Sequence, residues 1–343
     1  MPRFLYDLDQ EELETLFAGM GLKPFRARQV FQRIYRQGVL DFGSMTEFTE
    51  DLRAKLASEF STSLPLLMER LVSRDGTVKL LYAMADGEPV ETVLIPDEER
   101  LTQCVSTQAG CAMGCAFCRT AASGLARNLT AGEIVAQILA AERDGGFGRR
   151  PTNVVFMGMG EPLHNFDNTV KAFDILSSDW GLGLGRKRIT VSTSGLVDRI
   201  KMLPERMLQS LAVSLNATTD EVRDRIMPVN RRYPIAALLE ALAALPLPPR
   251  ERITIEYVLL GGVNDSIGDA KRLVRLLSNI RCKVNLIPFN GHDGSGFETP
   301  SEEAVRAFQT YLLEKSFTAV LRKSRGGDIL AACGQLKAQS TGS

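Results

Sequence analysis

The stretch Gln103-Cys104-Val105-Ser106-Thr107-Gln108-Ala109-Gly110-Cys111-Ala112-Met113-Gly114-Cys115-Ala116-Phe117-Cys118 governs how the rest of the chain reads. It begins inside a strand predicted over Thr102–Thr107 and runs into a loop with C-x3-C-x2-C spacing. Three thiolates so close together can wrap one face of a cubane iron–sulfur cluster. Gly110 and Gly114 allow the tight backbone that this requires. A [4Fe–4S] cluster usually takes four cysteines. Three local ones leave one iron open to a substrate or cofactor. Structural zinc is the competing reading, but it takes four ligands in paired spacing. His164 and His292, the only histidines, have no such spacing to the run.

Outward from this loop, short β-like runs alternate with helical ones. Strands are predicted near Thr102–Thr107, Thr152–Met157, Arg188–Ser192, Leu211–Leu215, Arg252–Leu259 and Cys282–Pro288. Helices are predicted over Thr130–Arg143, Phe166–Ser178, Asp220–Ile226, Ile235–Ala244 and Ile267–Ser278. Repeated strand-then-helix order implies a parallel sheet, here an α/β barrel, closed or incomplete. A further strand is expected near Thr318–Arg322. The unusual short motifs follow strand ends: Gly110–Cys118, Gly158–Pro162, Ser192–Gly195, Ser214–Ala217 and Pro288–Gly291. In α/β barrels the carboxyl ends of the strands carry the active site.

Before the barrel, residues 1–65 read as helical, over Leu8–Met20, Phe25–Gly38 and Met45–Phe60. Arg26, Gln29, Arg33 and Arg36 share one helix face. A solvated face is the ordinary reading of such a stripe, and a phosphate-facing one the functional reading. From Leu71 to Pro96 the period shifts to two. Thr77–Met84 and Pro89–Ile95 are predicted as strands around a turn at Ala85-Asp86-Gly87.

The 343-residue chain is 44% hydrophobic and 24% charged, an ordinary globular composition. No apolar run approaches the roughly 20 residues of a membrane helix, and Met1–Gln10 lacks an apolar signal core. A cytoplasmic protein without a membrane partner is expected. Six cysteines, four of them between Cys104 and Cys118, point to metal or redox chemistry rather than to a disulfide scaffold. Net charge is zero, so any polyanion must be held by local patches such as Arg186-Lys187-Arg188, Arg231-Arg232 or Arg322-Lys323 with Arg325.

C-x3-C-x-aromatic-C after a first strand resembles the radical S-adenosylmethionine (SAM) signature. Longer segments, in order, resemble the RlmN/Cfr family of RNA adenine methyltransferases. They are V-E-T-V-L-I-P at Val90–Pro96, C-V-S-T-Q-A-G-C at Cys104–Cys111 and M-G-M-G-E-P-L at Met157–Leu163. S-T-S-G at Ser192–Gly195, N-L-I-P-F-N at Asn285–Asn290 and R-G-G-D-I-L-A-A-C-G-Q-L at Arg325–Leu336 continue the series. The N-terminal F-R-A-R-Q-V-F-Q-R-I-Y resembles the accessory domain of that family.

The resemblance implies a radical SAM partial (β/α)6 barrel with a small N-terminal helical accessory domain. The expected division is 1–65 accessory and RNA-binding, 66–96 a β-hairpin connector carrying Glu91, 97–328 the barrel, and 329–343 a loop carrying Cys333. It implies a [4Fe–4S] cluster on Cys111, Cys115 and Cys118, and two SAM molecules per turnover. Cys333 matches the cysteine that takes a methyl group from SAM. A radical then removes hydrogen from that methyl, and the carbon adds to adenine, linking protein to RNA. Cys104 matches the cysteine that helps remove the ring proton and resolves the adduct through a disulfide with Cys333. Glu91 matches a proposed proton acceptor. Gly160, Glu161, Ser192, Ser214, Leu215, Asn216 and Asn290 match SAM contacts. Asn216 stands where many relatives have histidine, which puts the detailed contact at that position in doubt. Read on their own, Cys104 and Cys333 could be inert thiols and Glu91 a surface carboxylate. Cys282 lies in an apolar strand pattern and reads as core.

The implied substrate is 23S rRNA, protein-free or in an early assembly intermediate, methylated at C2 of an adenine in the peptidyl transferase region, with an anticodon-loop adenine of some tRNAs as a second target. An electron-donor protein is a further implied partner. The resistance branch of the family methylates C8 instead. Pro162 and the F-R-A-R-Q segment resemble the C2 branch. A metal-stabilised RNA-binding module without catalysis would explain the basic patches and Cys111–Cys118, but not the motifs around Cys104 and Cys333. A radical SAM enzyme acting on a small molecule would leave the N-terminal segment unexplained.

Overall fold

In the computed structural model, which describes residues 2–292 and 294–338, ten strands lie side by side in chain order in one sheet. They are β1 (Leu66–Val72), β2 (Val78–Ala83), β3 (Pro89–Asp97), β4 (Arg100–Cys104), β5 (Asn153–Phe156), β6 (Ile189–Thr193), β7 (Leu211–Ser214), β8 (Ile253–Leu259), β9 (Cys282–Pro288) and β10 (Ala319–Leu321). β1 to β4 are antiparallel neighbours, and β4 to β10 run parallel. Among the described residues nothing pairs β10 with β4, so the barrel is incomplete. Val, Ile and Leu fill β5 to β9, as burial on both faces of a parallel sheet demands. Val154, Ile189, Val191, Leu211, Val213, Ile253, Ile255, Val284 and Leu286 are all buried, and Cys282 joins them in the core.

Helices cover the sheet between strands: α4 (Ala131–Asp144), α5 (Phe166–Ser177), α6 (Asp220–Ile226), α7 (Ile235–Ala243), α8 (Ile267–Leu277) and α9 (Glu302–Glu314). Their starts are chemically marked. Thr130 makes a reciprocal capping box with Glu133, and Thr219, Ser266 and Ser301 accept from the third backbone N–H of their helices. The five helices predicted between the barrel strands agree with α4 to α8 to within a residue at each end, α9 is not among those predicted, and the helix expected over Met45–Phe60 begins only at Glu50.

The predicted connector differs from expectation. It is three strands rather than a hairpin, because β1 is largely exposed and shows no alternation to read. It is also continuous with the barrel sheet, since Val93 of β3 lies opposite Cys104 of β4.

The N-terminal helices α1 (Gln10–Gly19), α2 (Pro24–Tyr35) and α3 (Glu50–Glu59) pack into the same hydrophobic core as the barrel. The docking is also polar. Gly132 N–H donates to Asp7 at 2.8 Å, Lys171 donates to Glu12 at 2.6 Å, and Arg36 donates to the Asp179 carbonyl. The arginine stripe of α2 is therefore occupied by protein groups. Arg33 pairs with Glu47 at 2.9 Å, and Arg26 donates to Gln29 at 2.9 Å while lying over Phe25 and Phe48. No helix of the described residues is long and apolar enough to cross a membrane.

Gly132 marks the tightest part of this contact. A Cβ there would lie 2.7 Å from the Asp7 backbone nitrogen and 2.8 Å from the Phe4 ring. Gly132→Ala should destabilise the protein by about 1–3 kcal/mol and expose the 1–61 segment to limited proteolysis. Unchanged melting and cleavage would show that the segment docks elsewhere.

Candidate active site

After β4 the chain enters the cysteine loop through Gln108–Gly110, which pairs with Leu125–Asn128. Gly110 has φ 78°, and a Cβ on it would sit 2.0 Å from the Gly124 carbonyl oxygen. Only glycine fits there. That carbonyl accepts from Cys111 N–H at 2.7 Å, and Ala116 N–H donates to the Ile226 carbonyl at 3.0 Å, anchoring the loop to the end of α6.

Cys111, Cys115 and Cys118 line one cleft of about 930 Å³ at the carboxyl ends of the strands. Among the described residues no three His, Cys, Asp or Glu side chains converge as ligands of one ion would. Thiols spread along one wall suit a cluster in which each iron takes its own thiolate better than they suit a single zinc. Burial pushes the Cys111 thiol up to about 12. Burial also raises Cys115, while the Arg223 guanidinium pulls it down. Such thiols ionise when a cation arrives to stabilise them.

The rest of the cleft wall includes Gly160, Glu161, Ser192, Ser214, Asn216 and Asn290. Leu215 does not line it; its side chain is buried in the core. Gly160 has φ 102°, and a Cβ would meet Gln108 at 2.6 Å, so the backbone itself forms the wall. Glu161 is buried, and its carboxylate accepts from Ser194 N–H at 2.7 Å and Leu163 N–H at 3.0 Å. It therefore shapes the loop and leaves backbone to face the cleft. Asn216 adopts φ 56°, a conformation Asn tolerates better than most residues. It accepts from Val258 N–H at 2.8 Å and donates to the Met227 sulfur. Asn290 accepts from the Ser324 hydroxyl. Two buried atoms on residues of this wall, Ser194 Oγ and Glu256 Oε1, make no hydrogen bond of normal geometry. A polar ligand such as SAM would satisfy them.

The sequence reading passed over two residues here. Glu256 is an acid inside the otherwise apolar and β-branched run I-T-I-E-Y-V-L, and that misfit was the available signal. Its side chain is buried, which raises its pKa, against the opposing effects of Arg322, Asn285 and Ser192. Arg223 is 0% exposed. It donates five hydrogen bonds, to Ser194, Ser214, Leu215, Asn230 and Tyr233, joining the loops after β6 and β7. Burial lowers its pKa to about 10, so it stays charged. Nothing in D-E-V-R-D-R-I separates it from surface arginines.

A second cleft of about 710 Å³ contains both Cys104 and Cys333, with Met157, Asn290, Arg322, Lys323 and Arg325. Cys333 lines both clefts. Cys104 is buried and Cys333 exposed. Surrounding protein raises both thiol pKa values and Arg322 lowers both, while Cys104 is also raised by Cys333. The Cys333 loop rests on the cluster loop, with Arg119 N–H donating to the Gly334 carbonyl at 2.8 Å and the Thr120 hydroxyl to the Leu336 carbonyl at 2.6 Å. Residues 339–343 lie outside the described residues. Glu91 lines neither cleft. One oxygen pairs with Lys79 at 3.0 Å and the other accepts from Lys337 N–H at 2.7 Å.

Two measurements test this wall. A carboxyl whose pKa is raised on folding opposes folding once it ionises, so its cost grows as pH rises above the ordinary carboxyl range. Glu256→Gln should therefore raise the melting temperature of the cofactor-free protein at about pH 7.5, with the difference vanishing at about pH 4. Equal melting at both would mean a solvated carboxyl. Arg223→Met should cost about 3 kcal/mol or more in denaturant unfolding; a smaller loss would mean that its carbonyl partners find other donors.

Residues 105–274 match the model of the radical SAM superfamily, and residues 4–61 match the ribosomal RNA large subunit methyltransferase N-terminal domain. The dual-specificity RNA methyltransferase RlmN of Geobacter sulfurreducens is 54% identical, over 96% of this chain and 91% of its own. That of Syntrophobacter fumaroxidans is 46% identical, over 98% and 99%. The crystal structure of a radical SAM methyltransferase from Sphaerobacter thermophilus superposes with a TM-score of 0.90 at 45% identity, covering 98% of this chain and 100% of that one. With this identity over nearly its whole length, and a cysteine loop and paired cysteine cleft to match, the chain belongs to the RlmN family of radical SAM RNA methyltransferases.

Proposed function

We propose that this chain methylates C2 of an adenine in 23S rRNA and of an anticodon-loop adenine in tRNA, through a methylated Cys333. The observation that carries this reading is the place of Cys333 where two clefts meet. One cleft holds the three-cysteine loop. The other holds Cys104 under a basic rim.

Cys111, Cys115 and Cys118 would hold the [4Fe–4S] cluster. Gly160, Glu161, Ser192, Ser214, Asn216 and Asn290 would surround SAM. When bound, these groups supply a methyl for Cys333 and then a radical that takes hydrogen from that methyl. Cys333 must first lose its thiol proton, which Arg322 favours and Glu256 opposes. The carbon left on Cys333 would add to the adenine carbon, linking protein to RNA; the adduct would give up its unpaired electron to the cluster and its ring proton to Cys104, which lines the same cleft as Cys333. Once that proton has passed to solvent, the Cys104 thiolate attacks the Cys333 sulfur, forming the disulfide and breaking the bond from that sulfur to the methylene carbon. That carbon takes a proton as the new methyl group, and the disulfide left behind is reduced by an electron-donor protein. Arg322, Lys323 and Arg325 would meet RNA phosphates, with the target base unstacked into the cleft. The working division is residues 1–65 as an accessory unit, 66–96 as the strands carrying Glu91, 97–328 as the barrel and 329–343 as the Cys333 loop.

Anaerobic turnover with SAM, a reductant and protein-free 23S rRNA, followed by nucleoside mass spectrometry, tests this reading. A 2-methyladenosine product is expected. An 8-methyladenosine product would move the chain to the other branch, and no methylated adenosine would overturn the substrate. Cys333→Ala should abolish methylation while RNA binding persists, and Cys104→Ala should trap a protein–RNA adduct visible on a denaturing gel.

A further inference from the structure

We propose that the buried Lys79–Glu91 ion pair is a positioning device that clamps both arms of the Cys333 loop and refers Cys333 to the strand beside Cys104. The proposal rests on Cys333 being the methyl acceptor.

Glu91 of β3 lies opposite Leu81 of β2, and Lys79 is two residues along β2 on the same face. Their side chains are 6% and 9% exposed and meet at 3.0 Å. Neither head group stops at the other. Glu91 Oε2 accepts from Lys337 N–H at 2.7 Å, and Lys79 Nζ donates to the Leu330 carbonyl at 3.4 Å. Residues 330 and 337 flank Cys333, so one ion pair holds the loop on both sides of the reactive sulfur. The strand that carries Glu91 also fixes Cys104. Val93 lies opposite Cys104, and the Thr92 hydroxyl donates to the Cys104 carbonyl at 2.7 Å. The relative placement of the two sulfurs is thus set from one strand.

Stability does not explain such a pair. Burying two charges costs desolvation, and apolar residues of similar volume often do as well or better. Directionality does explain it. A carboxylate and an ammonium can each hold a backbone group of the loop while holding one another, which apolar packing cannot do. The loop needs such holding, since Leu330 stands at φ 53° and Gly334 at φ 81°. A left-handed Leu330 is a conformation that surrounding contacts must maintain. In this geometry Lys79 and Lys337 between them engage both carboxylate oxygens of Glu91.

The test uses the full-length protein with its cluster reconstituted. Lys79→Met keeps the aliphatic stem and leaves the Glu91 carboxylate intact. Glu91→Gln keeps an acceptor for Lys337 N–H but removes the charge. Three quantities are read: SAM cleavage to 5′-deoxyadenosine, methylated adenosine formed per 5′-deoxyadenosine, and hydrogen-exchange protection of amides 331–337. Both variants should retain cluster absorbance, SAM cleavage and KM for SAM. Both should lose loop protection, and the coupling ratio should fall by up to about a hundredfold, the scale of an ångström-level misplacement. If Lys79→Met couples normally while Glu91→Gln does not, Glu91 is a chemical base and the clamp is wrong. Full protection in both variants also overturns it. Should a single variant misfold because one charge is left buried, the double variant Lys79→Met/Glu91→Met removes both, and it must still lose coupling. Wild-type protein that never carries a methyl on Cys333 would instead overturn the role of that cysteine, before any variant is made.

Discussion

A parallel sheet that stops short of closing leaves two edges and a gap, and the site is built around that gap. Seven parallel strands from β4 to β10 present their carboxyl ends to one rim, while β1 to β3 extend the other edge as an antiparallel flap. Unpaired edges expose backbone donors and acceptors. Here the chain end links the two sides. Asp328, beyond β10, accepts from the Ser73 hydroxyl at 2.5 Å and Arg74 N–H at 3.1 Å, and Gly326 N–H donates to Asp75 at 3.0 Å. The segment between them and the C-terminus carries Cys333 across to the cluster loop. A closed barrel would offer a packed core at this place. An open one leaves room for the clefts that Cys333 lines.

The buried charges divide the labour within that frame. Arg223 holds the carbonyls of two strand-end loops. Glu161 gathers backbone N–H groups so that the neighbouring chain, rather than its own carboxylate, faces the cleft. Lys79 and Glu91 hold the Cys333 loop. Glu256 keeps one oxygen, Oε1, without a hydrogen bond of normal geometry on the wall of the cleft. Each of these groups costs desolvation that an apolar residue would avoid. The return is geometry, because hydrogen bonds have direction and apolar contacts do not.

Arg322 has a different part. It lowers the thiol pKa of both Cys104 and Cys333, against burial that raises them. A thiol that its surroundings keep protonated is a poor nucleophile until a cation favours the thiolate. The basic rim therefore serves two purposes in this reading, meeting phosphate outside and tuning sulfur inside.

Local chemistry determined much of this protein before any folding. Six strands of Val, Ile and Leu, helix starts at Thr130, Thr219 and Ser266, and three cysteines between αL-competent glycines are all written in nearest neighbours. They gave the barrel and the candidate cluster loop. Tertiary structure decided what no local pattern encodes. β1 carries no alternation, because one of its faces packs against little, and so it escaped notice. The arginines of α2 have helical spacing suited to phosphate, yet the fold turns them to Glu47, Gln29 and Asp179. Leu215 sits between two cleft residues in sequence but points the other way, as a strand end requires. Arg223 resembles a surface charge until distant segments close over it. Glu91 was legible only through a resemblance to the family. Its place came from Lys337, 246 residues away, and pairing across such a distance is a property of the folded chain alone.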